Sequence, residues 1–170
     1  YHMSENNKFD CLTDEEFDII KSHPELGHKE LLKNKELLQQ SDEQFKVTLE
    51  VALSHHEKHN GKGYPHGLKG DEIPFEAQVV SVVDVFDALS CERVYKKTWD
   101  QKEVNKFMKD HRAEAFNPVL SDTFLENEDV FFKLKEYIGN NKNISIDNFQ
   151  EETINFLKRN NVDVSEKNSF

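Results

Sequence analysis

Apolar residues recur along this chain at three- and four-residue intervals, the spacing that lines one side of an α-helix. Phe17, Ile19 and Ile20 follow Thr13 and Glu16, a pair spaced as a capping box, and predict a helix near 14–22. Ser41 and Gln44 repeat the box ahead of Phe45, Leu49, Ala52 and Leu53, which predicts a helix near 42–57. Between them, Pro24 suits the first turn of a short helix carrying Leu26, Leu31 and Leu32, where its fixed φ and missing N–H do no harm. Asp100 and Glu103 stand before Val104, Phe107 and Met108, and Pro118 opens a helix through Leu120 and Phe124. Glu128 to Ile138, stopped by Gly139, and Asp147 to Lys158 supply two more, whose Leu134, Tyr137, Ile138, Phe149, Phe156 and Leu157 suggest packing on the rest of the domain.

No sustained two-residue alternation occurs. The run Gln78 to Leu89 is rich in valine and could be a buried strand, but its length, its alanines and its two acids favour a buried helix. One stretch breaks the helical pattern. Gly61, Gly63, Gly67 and Gly70 are four of the six glycines, and with Pro65 and Pro74 they predict a long structured loop over 58–74. Loops of that length inside a compact domain usually carry function.

Composition narrows the function classes. The 170 residues fit one domain, and 13 phenylalanines supply more apolar bulk than a disordered chain carries. A net charge of −11 opposes binding to DNA, RNA or anionic lipid, so an anionic ligand has to meet metal ions or a local basic cluster. Cys11 and Cys91 have neither metal-clip spacing nor disulfide density. No stretch has the apolar length of a membrane span and no signal peptide precedes the first helix, from which a soluble, cytoplasmic protein is expected.

Four of the eight histidines, His55, His56, His59 and His66, fall in or beside the glycine-rich loop. On a helix, neighbouring residues point about 100° apart, so His55 and His56 are expected to diverge and to serve two neighbouring ions more readily than one. His56 lies on the stripe of Phe45, Leu49 and Ala52, and each imidazole could equally be a satisfied core or capping group. Asp84 interrupts an apolar run and, if buried, needs a cation, a metal or a helix N-terminus. Asp87, one turn on, reads as well as a solvated or capping carboxylate. Arg93, Lys96 and Lys97 form a basic group that either answers a helix dipole or binds phosphate. Imidazole and carboxylate ligands without thiolates favour Fe, Mn, Zn or Ni.

The segment HHEKHNGKGYP, His55 to Pro65, resembles the HHExxxGxGYP signature of HD-GYP domains, bacterial phosphodiesterases of cyclic di-GMP. LTDEEFDIIKSHPELG at 12–27 and VVSVVDVFDALSCERVYKKTW at 79–99 resemble the flanking segments, and HRAEAFNPVL at 111–120 resembles a later element with Asn117 in place of Asp. The resemblance implies an all-α, HD-superfamily helical bundle with two or three divalent ions, usually iron or manganese. It implies His23, His55, His56 and Asp84 as metal ligands, Arg93 and Lys96 as contacts to substrate phosphates, and a loop of Gly61, Gly63, Tyr64 and Pro65 that meets partner diguanylate cyclases. Cyclic di-GMP or a related cyclic dinucleotide is then the substrate, and a homodimer is compatible with the pattern.

The family's His-Asp pair, with the Gly-Lys that follows it, has no counterpart ahead of the LTDEEF segment, so the bundle reads as lacking its first helices. Residues 1–11 are expected to be an N-terminal remnant or tag-like segment, 12–126 the HD-GYP-like domain and 127–170 C-terminal helices packed on it. A truncated piece, an omitted N-terminal part and a natural variant without the pair all fit. For an intact site the implied reaction is metal-assisted hydrolysis to linear pGpG and then GMP. Without the bridging Asp, weak metal binding and slow turnover are expected, and a cyclic-dinucleotide sensor or an interaction module is the competing class.

Overall fold

The computed structural model describes residues 13–91, 98–141 and 146–162. Arg93, Lys96, Cys11 and the 1–11 segment lie outside the described residues. Within them the chain is all helical, running α1 Asp14–Lys21, α2 His23–Lys33, α3 Asp42–Ser54, α4 Phe75–Ser90, α5 Gln101–Asp110, α6 Pro118–Glu126, α7 Glu128–Asn140 and α8 Ile146–Arg159, with short 3-10 turns at Lys35–Leu37 and Gly70–Glu72.

The helix starts follow the local chemistry of the sequence. Thr13, Ser41 and Asp100 each accept a hydrogen bond from the backbone N–H three residues on, and Glu16, Gln44 and Glu103 reach back to close the box. Pro24 sits in the first turn of α2, and Asn117 caps α6 through the Val119 N–H. Gln78 to Leu89 belongs to α4, as its length and alanines predict. Two ends differ from expectation. Gly139 lies inside α7, which runs on to Asn140, and the glycine has open space around it rather than a turn to make. α3 stops at Ser54, with His55 as its C-cap.

α4 divides the molecule. One side of it, Val82, Val85, Phe86 and Leu89, packs with Val104, Phe107 and Met108 of α5, with Ala115 and Phe116 of the α5–α6 connection, and with Phe124 of α6. Phe131 and Phe132 of α7 close this core against Phe86, with ring centroids 5.8 and 5.1 Å away. The Lys135 ammonium of α7 donates to the Ser90 carbonyl at the end of α4, and α8 packs on α7 through Tyr137 and Phe156, whose ring centroids are 4.9 Å apart. On the other side stand α2 and α3, where Pro24, Phe45 and Ser54 are the buried residues. Val79, Val80 and Val83 of α4 and Ile19, Leu26 and Leu32 of the first two helices are exposed.

Stability therefore resides in the half built from α4 to α7. Phe116→Ala is expected to lower the unfolding free energy by about 3–5 kcal/mol, since its ring is fully enclosed. Val119→Ala, on the exposed face of α6, should stay within about 0.5 kcal/mol of the parent chain in the same urea titration.

Candidate metal centre

Three imidazoles converge between the start of α2 and the end of α3. His23 opens α2, with its Nδ1 2.7 Å from the Ile20 carbonyl oxygen. His55 caps α3, with its Nδ1 2.9 Å from the Val51 carbonyl and 3.1 Å from that of Ala52. A carbonyl oxygen can only accept, so in both neutral rings Nδ1 carries the proton and Nε2 the lone pair. These two Nε2 atoms face each other at 3.3 Å. Two lone pairs so placed call for a cation between them, either a proton or a metal ion. Two imidazole nitrogens about 2.1 Å from one metal ion, at an angle of about 100°, stand about 3.2 Å apart. The donor set and its spacing thus fit a divalent ion of the imidazole-binding class.

His56 completes the group. Its ring centroid lies 4.1 Å from that of His55 and 4.8 Å from that of His23, and one nitrogen from each of the three falls within 4.8 Å of the others. Divergence of His55 and His56, expected from helical spacing, is therefore corrected. The helix ends at Ser54 and both histidines occupy the turn beyond it, where the 100° step no longer applies. Burial, and then the positive charge that His55 and His23 would carry once protonated, push the His56 pKa down to about 3, which keeps the ring neutral and its lone pair available.

Among the described residues the triad takes in no carboxylate, and Asp84 stands outside it. Asp84 is half-buried on α4 and close enough to Tyr64 to act on it: burial first, and Asp84 second, push the phenol up to about 12. Asp87 is exposed, and its Oδ1 accepts from the Cys91 thiol at 3.0 Å. Burial and this carboxylate both hold the thiol above its ordinary range.

The glycine-rich loop folds back onto the histidines. The Tyr64 N–H donates to the His56 carbonyl at 3.3 Å, and the two rings stack with centroids 4.8 Å apart and planes 28° off parallel. The Tyr64–Pro65 peptide is cis. Gly63 passes so close to the stem that a Cβ there would lie 2.3 Å from the Lys58 nitrogen and 2.4 Å from the Glu57 Cα. The loop is also tied to the main core, His59 N–H donating to Ala115 at 3.2 Å and Asn60 N–H to Glu114 at 2.9 Å. Gln78 of α4 donates to the Ile73 carbonyl at 2.8 Å and accepts from Asn117 at 2.9 Å, joining the loop to the start of α6.

Sequence reasoning noted Glu57 only as the acid that follows the paired histidines and gave it no role of its own. It is only 2% exposed, and its carboxylate accepts from the backbone N–H groups of His66 at 2.7 Å and Leu68 at 3.1 Å. Its position was the available signal: an acid at the stem of a loop too rich in glycine to satisfy its own amides.

His56 makes stability sensitive to acid. Its folded pKa lies below that of an unfolded histidine, so the unfolded chain binds more protons between about pH 6.5 and about pH 3, and stability falls as pH drops through that window. In metal-free protein, His56→Gln should flatten the decline, so that the melting temperatures of variant and parent draw together or cross between pH 7 and 5. Parallel curves would refute the burial of a neutral ring.

The family model for the HD domain matches residues 2–120. The cyclic di-GMP phosphodiesterase response regulator RpfG of Xanthomonas campestris is 40% identical over 115 residues, 67% of this chain and 29% of that protein. A cyclic di-GMP phosphodiesterase of Thermotoga maritima is 35% identical over 130 residues, covering 74% of this chain and 33% of its own length. A 3'3'-cGAMP-specific phosphodiesterase of Vibrio cholerae is 35% identical over 121 residues, 71% of this chain and 22% of that protein. The chain thus spans a third or less of the length of these relatives. With an all-helical fold, adjacent histidines at the end of α3 and a Gly-Tyr-Pro loop folded over them, the chain belongs to the HD-domain family, in its HD-GYP branch.

Proposed function

We propose that this chain carries the metal-binding part of a phosphodiesterase that hydrolyses cyclic di-GMP to pGpG and then GMP. The facing Nε2 atoms of His23 and His55 carry the reading, because two lone pairs 3.3 Å apart are an arrangement made for a cation. His23, His55 and His56 would hold the ion, with Asp84 of α4 as the carboxylate assigned to the same centre. Iron or manganese suits imidazole and carboxylate together. Divalent ions, when bound, lower the pKa of coordinated water and offset charge developing on a phosphodiester.

The protein's own groups do the rest. The carbonyls of Ile20, Val51 and Ala52 hold two imidazoles in the tautomer that points a lone pair inward. Tyr64 keeps its proton far above neutral pH and can act only as a neutral hydrogen-bonding group. Arg93 and Lys96 are assigned to the substrate phosphates, answering on an acidic protein the need for local positive charge. The Gly61, Gly63, Tyr64 and Pro65 loop is assigned to diguanylate cyclase partners, and the cytoplasm, where both would meet, is the assigned location.

A sensor or docking module is favoured by one observation, the absence of a carboxylate from the histidine triad among the described residues. Metal content and turnover separate the two. The enzyme reading predicts at least one equivalent of Fe or Mn per chain in anaerobically purified protein, and cyclic di-GMP hydrolysis abolished by chelator. Changing groups that merely orient ligands costs about 10- to 100-fold in metal affinity, so His55→Ala and His23→Ala should each exceed a tenfold loss. Metal bound without hydrolysis would assign the chain to the sensor class, and a folded protein that takes up no metal would reject the centre altogether.

A further inference from the structure

We propose that Glu57 and Tyr64 are positioning residues which make the glycine-rich loop the brace for the His56 ring, so that loop conformation sets metal affinity. The inference rests on the metal-centre reading above and extends it to groups that touch no metal.

The three imidazoles are oriented by different means. His23 and His55 each direct Nδ1 at backbone carbonyls, which fixes the ring plane and tautomer. Among the described residues no hydrogen bond does this for His56. Its plane is set by the Tyr64 ring stacked on one side and by the rings of His55 and His23 around it. Metal-bound histidines nearly always have an outer partner that fixes the ring, and its loss weakens the metal. At His56 that partner is an aromatic face.

A stacked ring orients its neighbour only while it is itself held. Tyr64 stands in the loop between Gly63 and Gly67, and three contacts fasten the loop to His56 and the two residues after it. The Tyr64 N–H bonds to the His56 carbonyl. The Gly63 backbone lies directly against Glu57 and Lys58. The enclosed Glu57 carboxylate takes the N–H groups of His66 and Leu68, one on each oxygen. Hydrogen bonds donated to a charged acceptor in a buried place are the strong ones. Glu57 thus adjoins His56 in sequence and ties down the far limb of the loop, leaving Tyr64 between two fixed points. Linkage makes the coupling reciprocal, so a metal ion on His56 would steady the loop as much as the loop steadies His56.

Full-length chain carrying Glu57→Gln, Tyr64→Ala or Tyr64→Phe tests this with two readouts. Mn²⁺ affinity is measured by calorimetry, and in metal-free protein NMR follows amide exchange at His66 and Leu68 and the His56 imidazole signal. Glu57→Gln retains the size of the side chain but presents an amide N–H₂ to one of the two donors. It should release at least the amide that meets the N–H₂, broaden the His56 signal and weaken Mn²⁺ about tenfold. Tyr64→Ala should weaken Mn²⁺ similarly, and Tyr64→Phe, which keeps the stack, should restore affinity to within about twofold of the parent. Released amides with parental affinity in Glu57→Gln, or equal affinities for Tyr64→Ala and Tyr64→Phe, would overturn the proposal. If Glu57→Gln does not fold, the Tyr64 pair decides. A parent chain that binds no Mn²⁺ would sink the metal-centre reading instead. The brace would then stand if the His56 signal broadens in Tyr64→Ala but not in Tyr64→Phe, and fall if all signals match.

Discussion

The end of α3 governs everything built around it. An α-helix leaves its last carbonyls without backbone partners, and a residue beyond the final turn has to meet them. His55 does so twice over, with its backbone N–H on Val51 and its ring Nδ1 on Val51 and Ala52. Because the ring serves as a cap, its other nitrogen must face outward toward His23. Because the helix halts there, the chain bends at once, the Glu57 N–H closing on the Ser54 carbonyl. The bend swings His56 back beside His55 and drops Glu57 beneath the loop. One stop in one helix creates both the donor cluster and the stem on which the loop is hung.

Much of this architecture was legible beforehand because it is local. Capping boxes, prolines in first turns and the long apolar run of α4 are decided by neighbours within four residues, and the helices follow them closely. The candidate histidines and the loop could be named for the same reason: two adjacent imidazoles beside four glycines are conspicuous in any reading. The geometry of the site was not legible. Helical spacing places His55 and His56 on different faces, and only the position of the helix end, uncertain by a few residues in any sequence, reverses that. His23 owes its place to the turn after α1, whose direction depends on packing between helices. Glu57 was hidden because the amides it satisfies lie 9 and 11 residues further on.

The molecule separates support from chemistry across α4. Its aromatic core, from Val82 to Phe124 with α7 laid over it, is far from the imidazoles in sequence and reaches them through polar links. Gln78 carries one of these, bonded to the loop on one side and to Asn117 on the other. The α5–α6 connection carries another, its carbonyls at Glu114 and Ala115 receiving the amides of Asn60 and His59. Asn117 caps α6 through its side-chain oxygen and offers Gln78 an N–H₂ that an aspartate could not.

Gly63 also limits how such a protein can change through time. Every other amino acid carries a Cβ, and at this position that atom would be driven into the backbone of Glu57 and Lys58, which cannot rotate out of the way as a side chain could. No single substitution is a small step here, so drift is blocked at Gly63 while neighbours such as Lys62 and His66, with exposed side chains, remain open to it. Lineages that diverge in what the loop touches are thus channelled toward changes on its outer surface, with the course of its backbone inherited intact.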